Sequence, residues 1–103
     1  MELRILRMDN RVMDSSQVQT FTIKNKLGLH ARAAALFVQL SNKFSSEILV
    51  EKSGQEVNGK SIMGILILAA TQGSKITVKA EGQDAAAAME ALGKLIDDGF
   101  GED

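Results

Sequence analysis

His30 is the only histidine in the chain, and it stands between Gly28-Leu29 and Ala31-Arg32. A strand-like run ends just before it, and an apolar, alanine-rich stretch begins just after. A neutral imidazole is a nucleophile near pH 7. At the start of a helix it would also face backbone N–H groups that lack partners within the helix and favour an anion. Arg32, two residues on, carries a guanidinium fork able to hold phosphate oxygens. Phosphoryl transfer asks mainly for positioning and charge stabilisation. The grouping therefore suits a histidine that accepts and hands on a phosphoryl group. Spacing alone leaves open a plainer alternative, in which His30 caps a helix and Arg32 is a solvated charge.

A second pattern competes. Gly54-Gln55-Glu56-Val57-Asn58-Gly59-Lys60-Ser61 matches G-x-x-x-x-G-K-[ST], between a strand-like and a helix-like run, as a phosphate-binding loop requires. Three features argue against it. A tight turn at Ser53-Gly54 leaves no room for the parallel sheet such folds need. The later strand at 75–80 runs into Glu81-Gly82, with no Asp to hold Mg²⁺. Glu56 would put a carboxylate where phosphates lie. Nucleotide binding at 54–61 is thus set aside, and a Ser-His-Asp hydrolase is weaker still, because no G-x-S-x-G elbow occurs.

The elements that position these residues can be read in order. Val18 to Lys24 sets Val18, Thr20 and Thr22 against Gln19, Phe21 and Ile23, is rich in β-branched residues, and predicts a strand. Asn25-Lys26-Leu27-Gly28 breaks it. Ala33, Phe37, Leu40 and Phe44 share one face of a helix over about 30–43. Glu47 to Glu51 and Gln55 to Asn58 predict two strands joined by the Ser53-Gly54 turn. Ser61 to Ala70 fits a short buried helix capped by Ser61. Lys75 to Ala80 is a fourth strand. Asp84 should cap a last helix with Ala85, Met89, Leu92 and Ile96 on one face, ended by Gly99. The order β-α-β-β-α-β-α predicts an α+β fold, a four-stranded sheet with three helices on one face.

The totals bound the rest. The 103 residues suit one domain with a modest core, and the formal charge of −1 gives no global field for nucleic acid or an anionic membrane. Cysteine is absent, and a lone histidine argues against a metal centre. The longest apolar run, Ile62 to Ala70, is too short to span a bilayer. Met1 to Asp14 includes Arg4, Arg7 and Arg11 without a continuous apolar stretch, so it does not read as a secretory signal. A cytoplasmic protein is expected, with an N-terminal extension at 1–16 and a folded domain at 17–103.

Together these residues resemble the HPr family, the histidine-containing phosphocarriers of the bacterial phosphotransferase system. Asn25-Lys26-Leu27-Gly28-Leu29-His30-Ala31-Arg32 looks like its active-site signature, and Asn58-Gly59-Lys60-Ser61-Ile62-Met63-Gly64 like its regulatory-serine signature. The resemblance covers about residues 17–100 and implies an open-faced β-sandwich. It also implies that His30 takes a phosphoryl group on Nδ1 from enzyme I and passes it to an EIIA-type domain, with Arg32 steadying the phosphate. Ser61 would be phosphorylated by an HPr kinase/phosphorylase. Such a protein is a relay rather than a catalyst, needs no cofactor or metal, and suits a monomer meeting its partners transiently. Phosphoserine at a helix start is tolerated by the dipole. Ile62 and Met63, with Leu66 one turn on, would then form an apolar docking patch beside His30 that a dianion on Ser61 blocks. A regulatory binding module of the same fold is the alternative, although family members of that kind replace the histidine.

Two features depart from the family pattern. Ala33 stands where proline usually follows the arginine, and the chain has no proline at all. In the first turn of a helix, alanine keeps the helix and restores an N–H, so function should survive. The family also generally lacks the extension at 1–16.

Overall fold

The computed structural model describes residues 15–102. Its elements run β1 (Ser16–Thr22), α1 (Ala31–Ser41), β2 (Glu47–Lys52), β3 (Gln55–Asn58), α2 (Ile62–Ile67), β4 (Lys75–Glu81) and α3 (Ala85–Asp97), closing with a 3-10 turn at Gly99–Gly101. This is the order read from the sequence. The strands pair antiparallel as β1-β4-β2-β3, so the last strand slots between the first two. Period-two alternation sorts the sheet into faces. Phe21, Ile48, Val50, Ile76, Val78 and Ala80 are buried beneath the helices. On the open face, Thr20 and Thr77 face each other across β1 and β4 and share a 3.0 Å hydroxyl hydrogen bond.

Helix α1 turns Ala33, Ala34, Phe37, Val38 and Ser41 inward, and α3 contributes Ala85, Ala88, Met89, Leu92, Gly93 and Ile96. The small residues let each helix approach closely, while Phe37, Leu92 and Ile96 fill the space that remains. The tight turn between β2 and β3 has positive φ at both Ser53 and Gly54 (53° and 85°), the geometry that matches hairpin twist.

Several boundaries moved for local reasons. β1 starts at Ser16, which pairs with Glu81, two residues before the predicted start. The reading of 1–16 as an extension lies, for residues 1–14, outside the described residues. Helix α2 stops at Ile67 rather than Ala70. Its last turn tightens through Leu68 N to Ile65 O, Ala69 takes φ 50°, and Ala70 O is drawn off to Leu29 N. Asp84 occupies the N-cap position of α3, yet its carboxylate caps nothing there. It accepts instead from the backbone and hydroxyl groups of Ser45 and Ser46, at the entry to β2. These bonds, that from the Ser46 hydroxyl foremost, hold the Asp84 carboxyl down to about 2.

The phosphate-loop pattern dissolves in the fold. Its residues are spread over a hairpin turn, strand β3 and the N-cap of α2. Lys60 Nζ donates to Phe44 O at 2.7 Å rather than reaching into a loop.

Candidate functional site

The turn between β1 and α1 is built on Asn25. This side chain is 1% exposed, and its Nδ2 donates to Gly28 O at 2.9 Å. Gly28 has φ 66°, and a Cβ there would overlap Ala70 O. Leu29 is buried and donates its N–H to Ala70 O at 2.9 Å. The turn is therefore pressed against the exit of α2, and only glycine fits where the two backbones meet.

His30 follows as the N-cap of α1, with extended backbone (φ −76°, ψ −179°), and its carbonyl accepts the first helical bond from Ala34 N at 2.8 Å. The sequence placed it there. It also suggested that the amides of Ala31, Arg32 and Ala33 would address the ring, but the ring makes no capping bond to them. The ring is held by a residue the sequence reading did not select, Glu102.

Glu102 arrives from the far end of the chain. Gly99 ends α3 with φ 65°, Phe100 plugs the core at 1% exposure, and Glu102 N returns to Gly99 O at 2.9 Å. The Glu102 carboxylate then accepts three bonds. Asn25 Nδ2 gives to Oε1 at 2.9 Å, while His30 Nε2 (2.6 Å) and Arg32 Nη1 (2.8 Å) both give to Oε2. The Asn25 amide first, then the His30 ring and the Arg32 guanidinium, hold the Glu102 carboxyl below its ordinary range. An ionised carboxylate only accepts, so the proton in the shortest of these bonds sits on Nε2, and whenever the ring carries a single proton its lone pair is on Nδ1. Arg32 is 60% exposed in its side chain, against 28% for His30 and 15% for Glu102. Its fork is thus available at the rim while resting on Glu102.

No local pattern announced Glu102. Its nearest signal was Gly99-Phe100-Gly101, an aromatic residue flanked by glycines, which marks a tail folded back on the core.

Ser61 is the N-cap of α2, and its Oγ accepts from Gly64 N at 3.1 Å. Of the proposed docking residues, Ile62 and Met63 are exposed (Met63 at 68%), whereas Leu66 is half-buried against the core. Leu27, on the histidine turn, and Ile67 are exposed apolar side chains that the reading left out. Helices α1 and α2 pack against each other, and the turn bonds to Ala70, which brings the two motifs onto neighbouring elements. Among the described residues no group of three or more His, Asp or Glu side chains is placed to hold a metal ion, and no helix is long and apolar enough to cross a membrane.

The family model for the PTS HPr component phosphorylation site matches residues 17–98. The chain belongs to the HPr family. Phosphocarrier protein HPr of Xylella fastidiosa (strain Temecula1) is 51% identical over 82 residues, covering 80% of this chain and 92% of its own. The HPr-like protein Crh of Halalkalibacterium halodurans is 56% identical over 75 residues, 73% of this chain and 89% of its own. The crystal structure of HPr-C-His from Thermoanaerobacter tengcongensis superposes with a TM-score of 0.82 at 54% identity, over 84% of this chain and 98% of that one. An HPr dimer from the same organism matches at a TM-score of 0.68 and 56% identity, over 80% and 94%. The open-faced sandwich expected from the resemblance is the fold of these HPr structures. HPr proteins are phosphocarriers, so this family handles a phosphoryl group by carrying it.

Proposed function

We propose that this chain relays a phosphoryl group through His30. Enzyme I charges Nδ1, and an EIIA-type domain discharges it. The observation that carries this reading is the pairing of His30 Nε2 with Glu102 at 2.6 Å, which leaves Nδ1 as the ring nitrogen with a free lone pair. On attack that lone pair forms the N–P bond, while the bond from phosphorus to the donor breaks and its electron pair stays with the donor. The dipole at the start of α1 and the Arg32 fork favour the charge brought onto the ring. Discharge is the same exchange in reverse, and needs no metal or cofactor from this chain.

Leu27, Ile62, Met63 and Ile67 are exposed apolar side chains on the histidine turn and α2, and we assign partner docking to them together with the half-buried Leu66. Ser61, at the start of α2, is the site proposed for an HPr kinase/phosphorylase. A phosphate there lands on the border of the apolar patch and would repel an acidic partner. The carrier is taken as a monomer, which suits brief encounters with several proteins, and its sedimentation behaviour decides that point.

The test is incubation with phosphoenolpyruvate and enzyme I, with His30→Ala alongside. An acid-labile phosphate present in the wild type and lost in the variant is expected, and an unlabelled, folded wild type would overturn the reading. A purely regulatory module is the second reading. It is favoured by the accessible N-cap Ser61 and by the similarity to a Crh protein. Label on Ser61 from ATP and a kinase, with none on His30, is its signature.

A further inference from the structure

Glu102 contributes more than a tether. We infer that it is a positioning residue for the relay, holding the proton on His30 Nε2 so that Nδ1 stays the nucleophile both before and during transfer. The inference rests on His30 being the phosphoryl acceptor.

The geometry is specific to a carboxylate. Three N–H donors from Asn25, His30 and Arg32 converge on its two oxygens at 2.6–2.9 Å. A glutamine could not satisfy all three, because one of its two polar atoms is itself a donor. If that amide turned its NH₂ toward the ring, Nε2 would become the acceptor and the proton would move to Nδ1, blocking it. The carboxylate is presented from a rigid base. Phe100 is locked in the core just before it, and Asn25 ties it to the same turn that carries His30.

The same contact follows through the reaction. When the Nδ1 lone pair is committed to phosphorus, the Nε2 proton stays where it is and the ring becomes positively charged. Glu102, already 2.6 Å from Nε2, carries the compensating negative charge. A protonated ring is also the better leaving group, because on discharge the N–P electron pair returns to a nitrogen of a cationic ring. Arg32 bonds the same oxygen, Oε2, from a largely exposed position, so it can turn from Glu102 to the arriving phosphate without breaking the Nε2 contact.

The experiment is ring-nitrogen NMR of uncharged protein with ¹⁵N-labelled histidine above pH 8. Charging rates by enzyme I are measured on the same samples, using wild type, Glu102→Ala, Glu102→Gln and Glu102→Asp. The wild type should show Nε2 protonated and Nδ1 bare. Glu102→Ala and Glu102→Gln should populate the Nδ1–H form and slow charging roughly ten-fold, as a barrier raised by about 1.4 kcal/mol gives. Glu102→Asp, which keeps a carboxylate, should recover part of both. An unchanged tautomer and charging rate in Glu102→Ala overturns the inference. A wild type that takes no phosphate defeats the carrier reading instead, and the nitrogen shifts alone still decide whether Glu102 sets the tautomer.

Discussion

Replacing Gly28 by alanine should injure the protein twice, by amounts that can be separated. Gly28 has φ 66°, and Gly54, in the β2–β3 turn, has φ 85°. An L-residue in this left-handed region costs about 1–2 kcal/mol, so Gly54→Ala, with no atom within 4 Å of the new Cβ, should show that cost alone. At Gly28 the new Cβ would overlap Ala70 O and lie 3.0 Å from Thr71 Cα. Both obstacles are backbone, so the turn must move, at a further cost of about 1–3 kcal/mol. Gly28→Ala should therefore lose about 2–5 kcal/mol, roughly 1–3 more than Gly54→Ala, and stay folded against a typical stability of about 5–15 kcal/mol. The displaced turn carries His30, so charging by enzyme I should also fall, while Gly54→Ala charges normally. Urea denaturation of both variants, with charging rates on the same samples, checks this. Equal stability losses would refute the claim that the turn is pressed against the exit of α2.

Other outcomes follow from the same structure. Phe100→Ala empties a fully buried aromatic site and should cost about 3–5 kcal/mol in denaturation, and by freeing the tail it should also lower the order of Glu102 in NMR relaxation. Asp84 is held down to about 2 in the fold. Its contribution to stability is whole above the ordinary carboxylate range near pH 4 and is lost as pH falls from about 4 towards 2. Asp84→Asn should accordingly lower the thermal midpoint at pH 7 and flatten the midpoint's dependence on pH between 4 and 2. A variant whose acid profile parallels the wild type would remove Asp84 from that role. Met63→Glu, at a position 68% exposed, should leave stability within about 0.5 kcal/mol yet lower kcat/KM with enzyme I about ten-fold, as loss of about 1.4 kcal/mol of docking energy would.

The legible parts of this molecule were those written in short-range pattern. Alternation in Lys75 to Ala80 and the heptad-like spacing of Ala85, Met89, Leu92 and Ile96 gave a strand and a helix close to those seen. His30 was placed at a helix start because a turn signal precedes it and an apolar helical run follows. What escaped depended on contacts between distant segments. Asp84 reads as a cap by its type and place, but the loop before β2 offers its carboxylate better donors in Ser45 and Ser46. The last turn of α2 was lost to Leu29, whose N–H takes the Ala70 carbonyl from 41 residues upstream. Glu102 lies 72 residues from His30, and only the return of α3 across the sheet brings them together. Its role could not be read from spacing, because no spacing encodes it.

The relay itself is tested most directly by discharge. The carrier is charged to completion with phosphoenolpyruvate and enzyme I, freed of both, and mixed with a stoichiometric EIIA domain in a single turnover. The account predicts that the phosphate leaves His30 and appears on the EIIA domain, with the uncharged carrier regenerated and no burst of inorganic phosphate. A label that stays on the carrier, or appears only as free phosphate, would contradict it.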